Sequence, residues 1–149
     1  MDATMRRTKR SRRLSDEPAP EPAFADETED KPALTLREVV TESGREPFSE
    51  WIASVRDLAA RLRILARLDR VGQSGNFGDH RKHIAGATSE LRIDYGPGYR
   101  VYYVLQGNTL VLLIIGGVKD SQQSDILKAA ALWEECKNDV EGFSRDFIR

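Results

Sequence analysis

The stretch that decides the fold runs from Glu90 to Lys119 and reads ELRIDYGPGYRVYYVLQGNTLVLLIIGGVK. Polar and apolar residues alternate in its first part, as in a strand with one polar face. The middle part is rich in β-branched and aromatic residues, and Leu110 to Ile115 is apolar throughout, which is typical of a central strand covered on both faces. Gly96-Pro97-Gly98 and Gly107-Asn108 are turn sequences. The stretch therefore predicts an antiparallel meander of three strands.

A strand and a helical hairpin are predicted before the meander. Residues 34–40 fit a short strand, and Gly44 ends it. Pro47 suits the first turn of a helix, because the N–H that proline lacks has no partner there. We expect the helical segment to bend near Asp57, since one straight helix of that length would overrun so small a sheet. Its apolar positions follow helical spacing in two sets: Phe48, Trp51, Ile52 and Val55, then Leu58, Leu62, Leu65 and Leu68.

A final helix is predicted after Gly116-Gly117, which we expect to end the third strand of the meander. Ser121 can cap this helix. The predicted order is β-α-α-β-β-β-α, an α+β fold in which a small, mainly antiparallel sheet packs on the helical hairpin. The first strand is expected beside the last strand of the meander. The apolar face of the final helix is predicted to comprise Ile126, Ala129, Ala130 and Trp133.

Residues 1–33 differ in composition from the rest of the chain. A basic run from Arg6 to Arg13 is followed by an acidic run from Asp16 to Asp30 with three prolines, and large apolar side chains are few. We expect this segment to be disordered, because it cannot bury enough apolar surface to offset the entropy of ordering. Three interpretations are compatible with it: an RNA-binding arm, since basic runs attract phosphate, a solvated tail, or residues added by an upstream start codon, with Met5 as a second candidate start. The folded domain then covers residues 34–137, and residues 138–149 form a C-terminal tail.

Composition excludes several classes of protein. The formal net charge is −1, so any attraction to nucleic acid depends on local clusters. The apolar run from Thr109 to Val118 is too short to span a bilayer as a helix, and no secretory signal follows the basic N-terminus. Cys136 is the single cysteine, which fits a reducing cytoplasm. The two histidines and this cysteine are not spaced as a metal site, so we expect neither a metal nor a small-molecule cofactor.

Cations are the most informative polar residues of the meander. Arg92 lies on its first strand, Arg100 on its second and Lys119 just after its third. If these side chains converge on one exposed face, they form an anion-binding patch. Arginine binds phosphate through two N–H groups, and aromatic rings stack on unpaired bases, so such a patch suits RNA. The candidate residues are Arg92, Arg100 and Lys119 as central cations, with Lys82 and His83 from the preceding loop and Tyr102 as further binding residues.

A structural role is the alternative for each of these residues. Arg92 can pair with Glu90, Asp94 or Asp120 on a solvated face, where ion pairs are common and weak. Tyr99 and Tyr103 fit a hydrophobic core better than a stacking surface. Residue chemistry alone therefore favours an anion-binding face only slightly, and it assigns no catalytic step.

The order and spacing of three motifs resemble one group of proteins. The motifs are Gly75-Asn76-x-Gly78-Asp79-His80, the run from Glu90 to Tyr103, and Gly116-Gly117-x-Lys119-x-Ser121-Gln122-x-x-Asp125-Ile126. They are similar to the addiction-module killer proteins of the RelE/ParE superfamily of toxins, close to the HigB type. The likeness covers roughly residues 34–137 and includes Trp51 and Arg61 of the predicted helices, whereas residues 1–33 match nothing in the group.

This resemblance implies the toxin of a type II toxin–antitoxin pair, with a RelE-like fold, that cuts mRNA on the ribosome without a metal. The implied reaction is attack of a ribose 2′-hydroxyl on the adjacent phosphorus, which gives a 2′,3′-cyclic phosphate. Arg100 matches the arginine on the scissile phosphate, Arg92 a basic residue on the preceding strand after a shift of one residue, and Lys119 the basic position after the last strand. Lys82 and His83 are implied as sources of the base or of further charge. The implied partners are a helix-turn-helix antitoxin and ribosome-bound mRNA, in the cytoplasm.

Two departures from the family pattern bear on the mechanism. No tyrosine or histidine lies between Lys119 and Trp133, where RelE-like nucleases often carry a catalytic one. Residues 34–137 contain 14 Lys or Arg against 13 Asp or Glu, so recognition of RNA depends on the ribosome or on the local patch. The alternatives are a ParE-like, non-enzymatic inhibitor of DNA gyrase and an inactive binding module. Three converging cations favour the nuclease, because a binder would not need them.

Overall fold

The computed structural model describes residues 33–78 and 81–147, so the predicted disordered extension lies outside the described residues except for Ala33. In these ranges the chain has an α+β fold with one mixed sheet of six strands and three α-helices. The strands are β1 Thr35–Val39, β2 Arg81–Ala85, β3 Thr88–Ile93, β4 Tyr99–Gln106, β5 Leu110–Val118 and β6 Ser144–Asp146. The helices are α1 Pro47–Ser54, α2 Leu58–Ser74 and α3 Gln122–Cys136, and a 3₁₀ turn, Lys119–Ser121, precedes α3.

The strands of the sheet have the order β2-β3-β4-β5-β1-β6. β2 to β5 form an antiparallel meander, β1 lies parallel to β5, and β6 pairs with the other edge of β1 in antiparallel. The predicted place of the first strand, beside the last meander strand, is confirmed. The predicted turn at Gly107-Asn108 is confirmed as well, since both residues have positive φ, as a two-residue hairpin turn requires.

The meander has one strand more than predicted. Arg81–Ala85, predicted as part of a loop, forms β2 and pairs with β3 through a turn at Gly86, whose φ is +54°. The strand escapes prediction because it lies at the edge of the sheet with Arg81, Lys82 and His83 exposed. A strand of this kind does not need the apolar alternation by which half-buried strands are recognised.

β5 is a central strand covered on both faces, as its apolar sequence predicts. Residues 111–114 are buried, and the strand continues through Gly116-Gly117 to Val118, so the prediction that these glycines end it is wrong. The glycines are needed because other elements approach the sheet closely here. A Cβ on Gly116 would overlap the indole of Trp51, and a Cβ on Gly117 would overlap the carboxylate of Asp125.

The predicted division of the helical segment into two helices is confirmed, and the break lies at the predicted place. Asp57 is the N-cap of α2, and its carboxylate accepts a hydrogen bond from the N–H of Ala60 at 3.3 Å. The register of α2 differs from the prediction, because Leu58 and Leu62 are 60% and 57% exposed. The bend resets the helical phase, so the spacing of α1 does not continue into α2. The buried stripe of α2 comprises Ala60, Ile64, Leu68, Val71 and Ser74.

Helices cover both faces of the sheet. α1 and α2 pack on one face against Tyr99 and Tyr103, which are core residues as predicted. α3 packs on the other face, where Tyr102 and Ala129 belong to a second hydrophobic cluster. α3 therefore covers much of the face that carries Arg100, and the prediction that this face is exposed is wrong for that residue.

The last described residues complete the sheet. Residues 138–149, predicted as a tail, contain β6, and Arg37 of β1 donates to the side chains of Ser144 and Asp146 at 2.8 Å each. Cys136 ends α3 in a buried position, and burial raises the pKa of its thiol. A membrane-crossing helix, one long and apolar enough, is absent from the part of the chain that the structure describes.

Candidate functional site

Glu90, Arg100 and Gln122 form a buried polar contact between the sheet and α3. Nη1 of Arg100 donates a hydrogen bond to Oε2 of Glu90 at 2.7 Å, and Nε2 of Gln122 donates to Oε1 of Glu90 at 3.1 Å. Glu90 is 0% exposed and Arg100 8%. A buried charge is tolerated when it is paired and hydrogen-bonded, and this carboxylate has a partner on each oxygen. The contact explains why Arg100 lies under α3.

Tyr102 lies directly opposite Glu90 in the pairing of β3 with β4 and shares its face. Its side chain is buried, and its hydroxyl has no hydrogen-bond partner among the described residues. Burial raises the pKa of Tyr102 to about 12, and the charges of Glu90 and Asp125 add to the rise while Arg100 opposes it. The hydroxyl is therefore protonated at neutral pH and can donate a hydrogen bond but cannot act as a base.

Asp125, in the first turn of α3, is held against β5. The hydroxyl of Ser121 contacts both Oδ2 of Asp125 and the carbonyl oxygen of Val118, the latter at 3.1 Å. Ser121 occupies the N-cap position of α3 as predicted, but its hydroxyl is directed to these two groups, so the predicted capping bond is wrong. The missing Cβ of Gly117 leaves room for the carboxylate.

Arg92, Arg100 and Lys119 form what we call the cation corner of the sheet. Arg92 of β3 and Gly117 of β5 lie on either side of Arg100 in one cross-strand row. Arg92 is half-buried, and its Nε has no hydrogen-bond partner in the described ranges. Lys119 follows Gly117 by two residues and is exposed, and its backbone N–H donates to the carbonyl of Gly98 at 3.0 Å. Arg92 and Arg100 are thus neighbours, Lys119 follows their row by two residues, and Arg100 is neutralised by Glu90.

The two further predicted cations lie on different faces of β2. Lys82 pairs with Glu90, so it shares the face of the cation corner. His83 pairs with Ser89, which pairs with Tyr103 on the face covered by α1 and α2. Nε2 of His83 lies 2.7 Å from the carbonyl oxygen of Gly86. Lys82 therefore belongs with the cation corner, and His83 is separated from it because successive residues of a strand point to opposite faces.

The partners of Arg100 were not predicted from the sequence. The sequence offers Glu90 only as one of several possible surface partners of Arg92, whereas it is the buried partner of Arg100. The signal was present: a turn at residues 96–98 that pairs Arg92 with Arg100 also pairs Glu90 with Tyr102 and sets Glu90 diagonal to Arg100. The contacts of Gln122 and Asp125 depend on how α3 crosses the sheet, and no local pattern encodes that crossing.

The cation corner suits the binding of an anion such as phosphate. Arginine offers five N–H donors in a planar fork, and the Glu90 contact engages Nη1 of Arg100. Residues 33–78 and 81–147 contain no group of three or more His, Cys, Asp or Glu side chains that could hold a metal ion. The arrangement therefore offers positive charge from Arg92 and Lys119 near one end of the sheet, beside the buried ion pair of Arg100 with Glu90.

The chain is similar to a protein of Haemophilus influenzae that bears the name "Uncharacterized protein". The two sequences are 44% identical over 88 residues, which are 59% of this chain and 87% of the relative. No protein-family model matches the chain. The name of the relative states no activity, so function has to be argued from the residues of the site.

Proposed function

The chain belongs to the family of this Haemophilus influenzae relative, and we propose that it is the toxin of a type II toxin–antitoxin pair of the RelE/ParE kind. In this proposal it is a metal-independent endoribonuclease that cuts mRNA on the ribosome and thereby inhibits translation. A helix-turn-helix antitoxin neutralises it. The proposal is supported by the resemblance of three ordered motifs and by an order of helices and strands that suits a RelE-like fold.

One observation carries the proposal: Arg92 lies directly opposite Arg100, and Lys119 lies at the end of the next strand. The motifs that resemble the toxin family thus contribute one cation from each of three consecutive segments of the meander. A phosphate at this corner meets the positive charge of Arg92 on β3 and of Lys119 at the start of the 3₁₀ turn, beside Arg100, whose charge Glu90 neutralises. Cations placed in this way can stabilise the negative charge that develops on a phosphoryl group as it reacts.

The proposed reaction is a transfer within RNA. A base removes the proton of the 2′-hydroxyl, the 2′-oxygen bonds to phosphorus, and the bond from phosphorus to the 5′-oxygen breaks as that oxygen takes up a proton. The products are a 2′,3′-cyclic phosphate and a 5′-hydroxyl. Arg92 and Lys119 bind the phosphate and stabilise its growing charge, and Arg100 donates to the same group from an orientation that Glu90 fixes.

The burial of Arg100 favours a second candidate, a ParE-like inhibitor that binds DNA gyrase without catalysis. An arginine that is neutralised by Glu90 and 8% exposed contributes less to a transition state than a free one. The two candidates differ in what they change. A nuclease creates new mRNA 5′ ends, whereas a gyrase inhibitor leaves transcripts intact and blocks supercoiling by purified gyrase.

Brief induction of the full chain, followed by mapping of mRNA 5′ ends, tests the proposal. The wild type is expected to arrest growth and to create new 5′ ends in translated transcripts, and Lys119→Ala should lose both effects while remaining folded. Arg56→Ala, which removes an exposed arginine between α1 and α2, is the matched control and should retain both. Intact transcripts in arrested cells, together with blocked supercoiling, would favour the second candidate. Intact transcripts in cells that grow normally would reject both.

A further inference from the structure

A cleft lined by arginines lies between α2 and the end of β3, on the side of the sheet covered by α1 and α2. Its volume is about 440 Å³, which is within the usual range of ligand sites. Arg63, Arg67 and Arg70 are spaced i, i+4 and i+7, so they form one stripe along α2. Asp94 also lines the cleft, and the charged residues of the lining are therefore three cations and one anion.

Arg63 and Arg70 are exposed and have no acidic partner among the described residues. Neighbouring cations on one helix face repel each other, and an anion bound between them relieves that repulsion. These two residues therefore have charge available for a ligand. Arg37, Arg45, Arg100 and Arg145, by contrast, each form an ion pair with a carboxylate.

Arg67 fixes the cleft to the strand that carries part of the cation corner. Its Nη1 donates to the carbonyl of Arg92 at 3.1 Å, and its Nη2 donates to the carbonyl of Phe77 at 3.0 Å. The side chain of Arg92 belongs to the opposite face of β3, the face of the cation corner. The cleft and the cation corner thus lie on the two sides of the same strand end.

Tyr95 gives the cleft an aromatic wall. The guanidinium carbon of Arg63 lies 4.4 Å from the centre of the Tyr95 ring, which is a cation–π distance. Arginine and tyrosine planes are surfaces on which unpaired bases stack, while the N–H groups of arginine bind phosphate. An acidic protein segment would use the charge of the cleft but not its stacking surface, so the lining favours single-stranded RNA.

We propose that this cleft is a second RNA-binding site, which holds one stretch of a single strand while the cation corner holds another. The inference rests on the proposed function, because that function is what makes RNA the substrate and brings a single RNA strand to the neighbouring cation corner. The cleft contributes binding, and cleavage stays with the cation corner.

Fluorescence anisotropy of a labelled single-stranded RNA with the full chain, measured over a range of salt concentrations, tests the site. Arg63→Ala/Arg70→Ala should weaken binding about tenfold, as expected for two lost surface contacts to phosphate. The slope of log affinity against log salt should fall by about 1.4, because each contact with a single strand contributes about 0.7. Arg63→Lys/Arg70→Lys should keep the slope but lose part of the affinity, since lysine has the charge without the planar surface. The control Arg56→Ala/Lys128→Ala removes the same charge from exposed positions outside the cleft.

Two results would overturn the second site. One is a cleft variant that binds RNA as tightly as the matched control. The other is competition by poly-glutamate that equals competition by unlabelled RNA of the same charge, which would assign the cleft to an acidic protein segment.

The cleavage rate at saturating RNA separates this inference from the proposed function. A full rate in the cleft variant supports a pure binding role, and a chain that binds through the cleft but never cuts would reject the nuclease and retain the second site.

Discussion

Nη1 of Arg100 lies 2.7 Å from Oε2 of Glu90 in the interior, under the first turn of α3. Both side chains have lost almost all of their exposure. Arg100 therefore stabilises the fold through Glu90, and in the proposed function it binds phosphate as well. Substitution of Arg100 would therefore change stability and activity together, so Arg100 is better suited to tests of the fold than to tests of the reaction.

Removal of one member of this pair should destabilise the domain. Glu90→Ala leaves the charge of Arg100 buried without its partner and is expected to lower the free energy of unfolding by about 3 to 5 kcal/mol. The double variant Glu90→Gln/Arg100→Met should lose less than Glu90→Ala, because no buried charge is left unpaired. Urea unfolding of these proteins measures the difference. The single variants Glu90→Gln and Arg100→Met are measured as well. If their losses of stability add up to the loss in the double variant, the pair is not coupled.

Gly117→Ala should destabilise the domain by about 1 to 3 kcal/mol, because the new Cβ would overlap the carboxylate of Asp125. The same change in an Asp125→Ala background should have a smaller effect, since the overlap is then removed. Gly72→Ala is the matched control: it lies within α2, its Cβ would meet Leu36 at 3.4 Å, and alanine favours a helix. Thermal unfolding compares them, and equal losses at Gly117 and Gly72 would refute the close approach of Asp125.

Tyr102 should make the stability of the domain fall at alkaline pH. Its pKa is raised from 10.0 to about 12 in the fold, so the folded state holds its proton more strongly than the unfolded state. The stability from this group is fully present below about pH 10 and is lost as the pH rises towards about 12. In Tyr102→Phe this part of the decline should disappear. Urea unfolding of both proteins at about pH 9, 10 and 11 measures this decline as it begins. Parallel declines in the wild type and in Tyr102→Phe would contradict the prediction.

Lys119→Ala and Arg92→Ala should lose activity without losing the fold. Lys119 is exposed, and Arg92 is half-buried with an Nε that lacks a partner among the described residues, so neither side chain holds the core together. Loss of one donor to a reacting phosphate typically lowers the rate about 100-fold or more. Cleavage of mRNA and the midpoint of thermal unfolding should be measured on the same samples. An inactive variant that is also unfolded would not support a role in the reaction.

The sequence predicts the elements of this fold where burial imposes a period. β3, β4 and β5 alternate or are uniformly apolar because they lie between helices, and the break between α1 and α2 coincides with the capping residue Asp57. β2 and β6 lie at the two edges of the sheet and carry polar residues, so period-two burial leaves little trace in them. The glycines of β5 illustrate the same limit. Gly116 and Gly117 resemble a strand end, but Gly116 is needed to make room for Trp51, which lies far away in the chain, and Gly117 to make room for Asp125 on the next helix.

The candidate site follows from the sequence only in part. Alternation places Arg92 and Arg100 on one face of the meander, and the register confirms that they are neighbours. Burial of that face depends on α3, which brings Gln122 to Glu90. Local sequence spacing does not predict how a helix packs across a sheet. His83 is separated from Lys82 for a different reason: both lie in β2, which was predicted as loop, and successive residues of a strand point to opposite faces.

Analysis of RNA ends tests most directly whether the cation corner cleaves mRNA. The purified full chain is incubated with ribosomes that carry a defined mRNA, and the ends of the fragments are identified. The wild type and Arg56→Ala should yield an upstream fragment that ends in a 2′,3′-cyclic phosphate and a downstream fragment that begins with a 5′-hydroxyl, and Lys119→Ala should yield neither. Uncut mRNA with the wild type, or equal cutting by Lys119→Ala, would contradict a nuclease site at the cation corner.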